Sequence, residues 1–192
     1  MKPVIHVLTT EHRKDRHKSI VAQSEAQGFD IKWFKGERGE EIKDVKKCIC
    51  QGHKRIIQYA KDNKMPFIRI AEDDCIFLGE GALQYYLDNE PKYYDAYFGV
   101  IYQGEVIDKR IMNGMSGVLT FFSVQSHFYN FILNEVPDDC HLDRFLGDTA
   151  FKHQYLLPPK YVCTQSGGFS DNLRREMYYH AYLVGKPIYG QD

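Results

Sequence analysis

Residues 67–77, FIRIAEDDCIF, place three consecutive acids, Glu72, Asp73 and Asp74, between two short apolar runs. An apolar run of that length, bounded by charge, reads as a buried strand that stops where the acids begin. Three carboxylates crowded together repel, and at least one pKa rises unless a cation offsets them. In open α/β sheets, ligands settle in the crevice outside the carboxyl ends of the strands, which is where this triplet falls. The stretch therefore asks for two things: a core strand ending at a polar crevice, and something to answer the negative charge.

The rest of the chain supplies the sheet. KPVIHVLTT opens as a mostly apolar run, and Ile20, Val21 and Ala26 then recur at helical intervals up to Gly28. FDIKWF reads as a second strand closed by the turn-rich GERGEE. VKKCICQGHKRIIQYAKDN reads as a helix with Val45, Ile49, Ile56 and Ala60 on one face. After the strand MPFIRIAEDD, both DAYFGVIY and SGVLTFFSV are strand candidates rich in aromatic and β-branched residues. Helix candidates follow at QSHFYNFILNEV and HLDRFLGDTAFKHQ, then an irregular segment, PPKYVCTQSGGFSDN. No repeat or long linker divides the 192 residues, so one α/β domain spanning 1–192 is expected.

Composition removes several function classes. Lys+Arg 25 against Asp+Glu 26 leaves a formal charge of -1, with no basic field or stripe to draw the chain onto nucleic acid or an anionic membrane. The N-terminal apolar run is too short for a signal peptide or a membrane span, so a cytoplasmic location is expected. Cys48, Cys50, Cys75, Cys140 and Cys163 are odd in number and scattered, which suits reduced thiols. Cys48, Cys50 and His53 form C-x-C-x-x-H, which lacks the paired spacing and fourth ligand of common zinc sites; helix packing is its reading.

Hard divalent ions such as Mn²⁺ or Mg²⁺ take oxygen ligands and leave positions for water and substrate phosphates. Residues alone thus allow a metal-phosphate site at the acids, or a solvated strand-to-turn corner. Arg13 and Arg16, just past the first strand, offer guanidinium groups to phosphates or simply begin a helix.

GHKRIIQYAKDNKMPFIRIAEDDCIF resembles the segment of glycosyltransferase family 25, the lipooligosaccharide biosynthesis galactosyltransferase type, in which a Ser-His pair on a helix precedes an apolar strand ending in Glu-Asp-Asp. Here Gly52 stands where the serine is expected, before His53. VIHVLTTEHRKDRH is similar to that family's first strand and arginine-containing helix start, YYDAYFGV to its next strand, and SGVLTFFSVQSHFYNFI to its small-residue strand and following helix. HLDRFLGD and YVCTQSGGFSDN resemble its closing acidic and Gln/Ser segments.

The resemblance implies a single GT-A-like, Rossmann-related domain with a mixed, mainly parallel sheet flanked by helices. It implies a nucleotide-sugar and metal-binding half over 1–110 and an acceptor and catalytic-base half over 111–192. The expected activity is inverting, metal-dependent transfer of a hexose, galactose or glucose, from a UDP-sugar to a glycan or lipid-linked acceptor in cell-surface polysaccharide synthesis. Asp74 is the first expected metal ligand, Asp73 its partner or a ribose contact, and Glu72 the third acid of the metal set, acting directly or as a structural support. Asp143 matches the family's late acid, the general base, with Asp148 as competitor; either also suits a helix N-terminal acid. Arg13, Arg16, His53, Asp73, Ser116, Gly117 and Gln165 are the expected donor contacts, although His53 equally suits a satisfied core histidine and Ser116 and Gly117 a strand-entry turn, with Ser170, Asp171 and Asn172 in the last polar segment. Tyr85, Tyr86, Tyr93, Tyr94, Tyr178, Tyr179 and Tyr182 offer faces for sugar stacking or for ordinary packing. Two other readings use the same acids: a non-catalytic nucleotide-sugar-binding module, and a metal-dependent phosphohydrolase or nucleotidyltransferase.

Overall fold

A computed structural model describes residues 2–116, 119–170 and 175–191. The apolar opening forms β1 (Val4–Thr9), followed by α1 (Lys14–Gln27), β2 (Asp30–Lys35), α2 (Ile42–Asp62) and β3 (Phe67–Glu72). Gly28 ends α1 in the left-handed conformation, φ 74°, with its N–H donating to Ser24 O at 2.9 Å, a backbone state that glycine enters without a Cβ penalty. Of the predicted stripe on α2, Val45, Ile56 and Ala60 are buried and Ile49 is half-buried, and the buried His53 lies on the same face.

The chain continues through β4 (Cys75–Phe77), α3 (Ala82–Asp88), β5 (Ala96–Phe98), β6 (Gln103–Ile107), β7 (Arg110–Ser116), β8 (Phe121–Gln125), α4 (Tyr129–Asn134), α5 (Leu142–Thr149), β9 (Tyr155–Leu156), β10 (Cys163–Gln165), β11 (Gly168–Ser170) and β12 (Arg175–Met177). Among the described residues, eight strands join one sheet in the order β2-β1-β3-β8-β5-β9-β7-β6. The sheet is mixed, with three parallel and four antiparallel pairings, and mainly parallel in strand direction: β1, β2, β3, β5, β6 and β9 run one way, and β7 and β8 run the other. The order reverses at β1, so right-handed crossovers place α1 and α2 on opposite faces. Strands from both sides of residue 110 share this sheet. β4 pairs instead with β10, and β11 with β12, as two small ribbons.

The β6–β7 hairpin turns at Asp108 and Lys109, both with positive φ (47° and 68°). The ladder between β6 and β7 shifts register on either side of Glu105. There Gly104, φ 146°, lies so close to β7 that a Cβ would stand 1.9 Å from Gly114 O, leaving room for glycine alone.

The core runs along the sheet. Ile5 and Val7 of β1, Ile68 and Ile70 of β3, Phe98 of β5 and Phe122 of β8 are at most 1% exposed. Tyr86 and Tyr94, two of the stacking candidates, belong to this core, and the Tyr86 hydroxyl donates to Tyr97 O at 2.7 Å. Gly52 has a packing reason: a Cβ there would meet Leu8 Cδ1 at 2.8 Å and Cδ2 at 2.9 Å, so a serine would push Leu8 toward the crevice beyond β1. No helix among the described residues is long and apolar enough to cross a membrane.

Candidate active site

β1 and β3 pair in parallel with Leu8 beside Glu72, so the turns leaving both strands meet at one edge of the sheet. Asp73 and Asp74 are the two residues between β3 and β4. Their backbone is tied down on both sides, Asp73 N–H donating to Leu8 O at 3.1 Å and Ser166 N–H to Asp74 O at 2.7 Å. The acids are thus not a solvated corner: Asp73 is 5% and Asp74 6% exposed.

Each carboxylate has a different environment. Asp73 is held at both oxygens. Thr9 Oγ1 donates to its Oδ2 at 2.6 Å, and Arg16 Nη1 donates to its Oδ1 at 3.2 Å. The Thr9 hydroxyl is itself 2.5 Å from His17 Nε2. Asp74 Oδ2 lies 3.0 Å from the same Arg16 Nη1, but Asp74 Oδ1 is buried with no hydrogen-bond partner. Burial, with Asp73 nearby, pushes the Asp74 pKa up to about 6 against the pull of Arg16.

Glu72 turns away from this pair. Gln165 Nε2 donates to its Oε2 at 3.2 Å, and its Oε1 lies 3.8 Å from His53 Nε2. Burial, reinforced by Asp74, Asp73 and Asp143, pushes Glu72 up to about 8, so it carries its proton at neutral pH. His53 is fully buried behind it, with its Nδ1 2.9 Å from Ile49 O. Only a protonated Nδ1 can serve that carbonyl, which leaves Nε2 as a lone pair facing the Glu72 carboxyl. Burial lowers His53 to about 4, so the ring is neutral. It supports Glu72 from below and does not reach the crevice.

Above the acids opens a cleft of about 460 Å³, within the range of small-molecule sites. Glu72, Asp73, Asp74, Arg16, Asp143 and Gln165 all line it, so the structure gathers six of the residues that the sequence singled out. Asp143 stands in the first turn of α5, where its Oδ1 accepts from the Arg144 N–H at 2.9 Å. Asp148 lies five residues on, about 140° around the helix; it is exposed and not part of the cleft wall. Arg13 is also outside the wall and contacts Asp15 at 3.4 Å. Ser170 lines the cleft. Ser116 closes β7, but its side chain, together with Gly117, Asp171 and Asn172, lies outside the described residues.

The walls also bring residues that sequence reasoning passed over. Arg38 projects from the loop after β2, Lys46 from α2 and Arg144 from the start of α5, ringing the cleft with cationic side chains, while burial lowers the pKa of the neighbouring His141 and favours its neutral form. Tyr102 joins them, its ring stacked on those of Tyr179 and Tyr182 at 5.6 and 5.5 Å. Its hydroxyl accepts from the Gln165 N–H at 2.7 Å. Of the tyrosines weighed for stacking, Tyr179 and Tyr182 reach the cleft, whereas Tyr85 packs on Tyr189 and Tyr93 on His127. The one local signal for the cationic ring was the glycine-flanked Arg38 in GERGEE; the rest come from segments far apart in sequence.

Among the described residues, no three His, Cys, Asp or Glu side chains converge on a ready-made metal site. Hard carboxylate oxygens are nevertheless present as a pair, and the orphaned Asp74 Oδ1 is a buried acceptor that lacks only a cation. The aspartate pair fits such an ion, with Glu72 committed elsewhere.

No protein-family model matches the sequence, and no curated protein matches it. Solved structures do. A glycosyltransferase involved in glycosylation of the major capsid of PBCV-1 superposes with a TM-score of 0.54 at 12% identity, over 90% of this chain and 97% of that one. A mutant Drosophila β1,4-galactosyltransferase 7, in complex with manganese, UDP-Gal and xylobiose, gives a TM-score of 0.53 at 11% identity, over 100% of this chain and 82% of that one. Identities this low establish the fold alone. The chain has the GT-A-like glycosyltransferase fold, with the acidic turn at the carboxyl edge of its sheet.

Proposed function

We propose that this chain is a glycosyltransferase, related to family 25, that moves a hexose from a UDP-sugar to a glycan or lipid-linked acceptor. The observation that carries the reading is the buried aspartate pair, with Asp74 Oδ1 unpartnered, facing a cleft ringed by cations. A polyanionic donor needs positive charge held locally, since the whole chain carries a formal charge of only -1. Arg38, Lys46 and Arg144 supply it around the cleft.

Mn²⁺ or Mg²⁺ would be held by Asp74 through its open Oδ1, with Asp73 beside it, and when bound supplies positive charge against the diphosphate leaving group. Asp143 is the general base. It takes the proton from the acceptor hydroxyl as that oxygen attacks the anomeric carbon from the face opposite the leaving nucleotide, which inverts the centre. Its place in the cleft wall favours it over Asp148. Gln165 holds the Glu72 carboxyl, and Tyr179 and Tyr182, backed by the buried Tyr102 ring, receive the sugar. Residues 1–110 bind donor and 111–192 bind acceptor and carry the base, in a protein working in the cytoplasm on cell-surface polysaccharide or lipooligosaccharide.

Thermal unfolding with Mn²⁺ across nucleoside diphosphates and nucleotide sugars tests this, because a ligand of the native state raises apparent stability. The expected result is a Mn²⁺-dependent rise with UDP-sugars that Asp74→Asn abolishes, and UDP plus glycosylated acceptor as products. Release of inorganic phosphate or pyrophosphate would assign the acids to a phosphohydrolase or nucleotidyltransferase, binding without turnover would leave a non-catalytic module, and no shift with any nucleotide would overturn the reading.

A further inference from the structure

The acidic turn already contains a cation. Arg16 Nη1 stands 3.2 Å from Asp73 Oδ1 and 3.0 Å from Asp74 Oδ2, so one nitrogen bridges two carboxylates in the manner of a point charge and not of the bidentate fork that arginine usually makes with one acid. The bridge is lopsided. Asp73 is anchored independently of Arg16 by the Thr9 hydroxyl at 2.6 Å. Asp74, 6% exposed, keeps Oδ1 without a partner. Arg16 Nε is likewise buried without a partner. Arg16 sits in the first turn of α1 and faces the cleft, so its side chain can leave the acids without moving the backbone that carries them.

We propose that Arg16 is a displaceable internal counter-ion: it occupies the aspartate pair until a divalent cation takes Asp74, and the freed guanidinium then binds the diphosphate of the nucleotide. This rests on the metal-dependent reading above and adds that metal and nucleotide binding are coupled through one side chain. Displacing Arg16 costs the metal affinity, and a diphosphate that captures the guanidinium returns it. By reciprocity the nucleotide must strengthen metal binding by the same factor that the metal strengthens nucleotide binding.

The test is Mn²⁺ binding to the full chain, by titration calorimetry or paramagnetic resonance, for wild type, Arg16→Gln and Arg16→Lys, each with and without UDP. Without nucleotide, Arg16→Gln should bind Mn²⁺ about tenfold more tightly than wild type, with Arg16→Lys between them, because less of the protein is held in the arginine-occupied state. UDP should tighten Mn²⁺ binding in the wild type and much less in Arg16→Gln. Equal or weaker Mn²⁺ binding in Arg16→Gln, or an undiminished UDP effect, overturns the proposal. If no variant binds Mn²⁺ yet UDP still binds, the proposal falls while a metal-free transferase reading stands; if neither binds, both fall. Should Arg16→Gln not fold, Mg²⁺ titration of the wild type followed through the Arg16 side-chain nitrogen resonances decides the matter. Movement of those resonances with Mg²⁺ occupancy supports displacement, and unmoved resonances at saturation refute it.

Discussion

At the carboxyl end of β3, Glu72 and Asp74 stand among like charges, and burial pushes them up to about 8 and about 6. At the amino end of β5, across the same sheet, Asp95 accepts from His127 Nε2 and from the Gln154 N–H, each at 2.8 Å, and has His153 Nδ1 at 3.4 Å. One end keeps a buried carboxylate oxygen without a donor; the other surrounds its carboxylate with donors. A cluster built for stability satisfies its charges internally, while one built to receive a ligand leaves part of the account to the ligand. The difference teaches which acid to suspect: not the better-connected one, but the one whose connections are incomplete.

The sharpest break between the two ends is in turnover. Asp74→Asn should lower sugar transfer by about a hundredfold or more, given that charge neutralisation at a leaving group is worth several kcal/mol, while leaving the fold intact. Asp95→Asn should leave transfer near wild type, since it touches nothing in the cleft. Parallel assays of both variants check this.

The two ends should also respond to pH in opposite senses. Glu72 has a folded pKa near 8, above the usual carboxylate range. Its contribution to stability is therefore full below the unfolded value and is lost as pH rises toward 8, with a slope of at most about 1.4 kcal/mol per pH unit for one proton. Melting temperature of the nucleotide-free protein should fall over that window, and Glu72→Gln should flatten the decline. Burial lowers His153 instead, so what it contributes is present above the ordinary histidine range and lost as pH falls. His153→Gln should steady the acid limb and leave the alkaline one unchanged.

Asp95→Ala strips an acceptor from three donors at once and should cost about 2 kcal/mol, a melting temperature lower by about 4–8 °C. Smallest is a substitution remote from both ends. Gly28→Ala meets no atom within 4 Å but forces alanine to φ 74°, a backbone cost of about 1 kcal/mol by denaturant unfolding.

What the sequence disclosed and what it hid follow the same local logic. The strand 67–72 and its acids were legible because apolar residues stop abruptly at charge, α2 because its buried stripe keeps helical period, and the end of α1 because Gly28 supplies a left-handed cap. The β6–β7 hairpin was not, because its turn uses Asp108 and Lys109 at positive φ without the glycine or asparagine that marks such turns. DAYFGVIY reads as one long strand, yet pairing ends after Phe98, where Gly99 has no room for a side chain: a Cβ would meet Cys163 Sγ at 2.9 Å. In the site, Glu72, Asp73 and Asp74 announced themselves by charge beside apolar runs, whereas Asp143 was singled out only through the family resemblance. That Arg16 would meet the acids depends on β1 lying next to β3, a fact of sheet order that spacing along the chain does not carry. Lys46, His141 and Arg144 were hidden for the same reason.

The bulge that Gly104 introduces into the outermost strand has a consequence for how the protein behaves in concentrated solution. β6 lies open to solvent, with Ile107 52% exposed, and a straight strand of that kind is a template on which further chains can add. Because the ladder slips on both sides of Glu105, the free edge presents no regular row of donors and acceptors. The opposite edge, β2, carries Lys32 and Lys35. Register shifts at one margin of the sheet and lysines at the other both work against strand-by-strand addition.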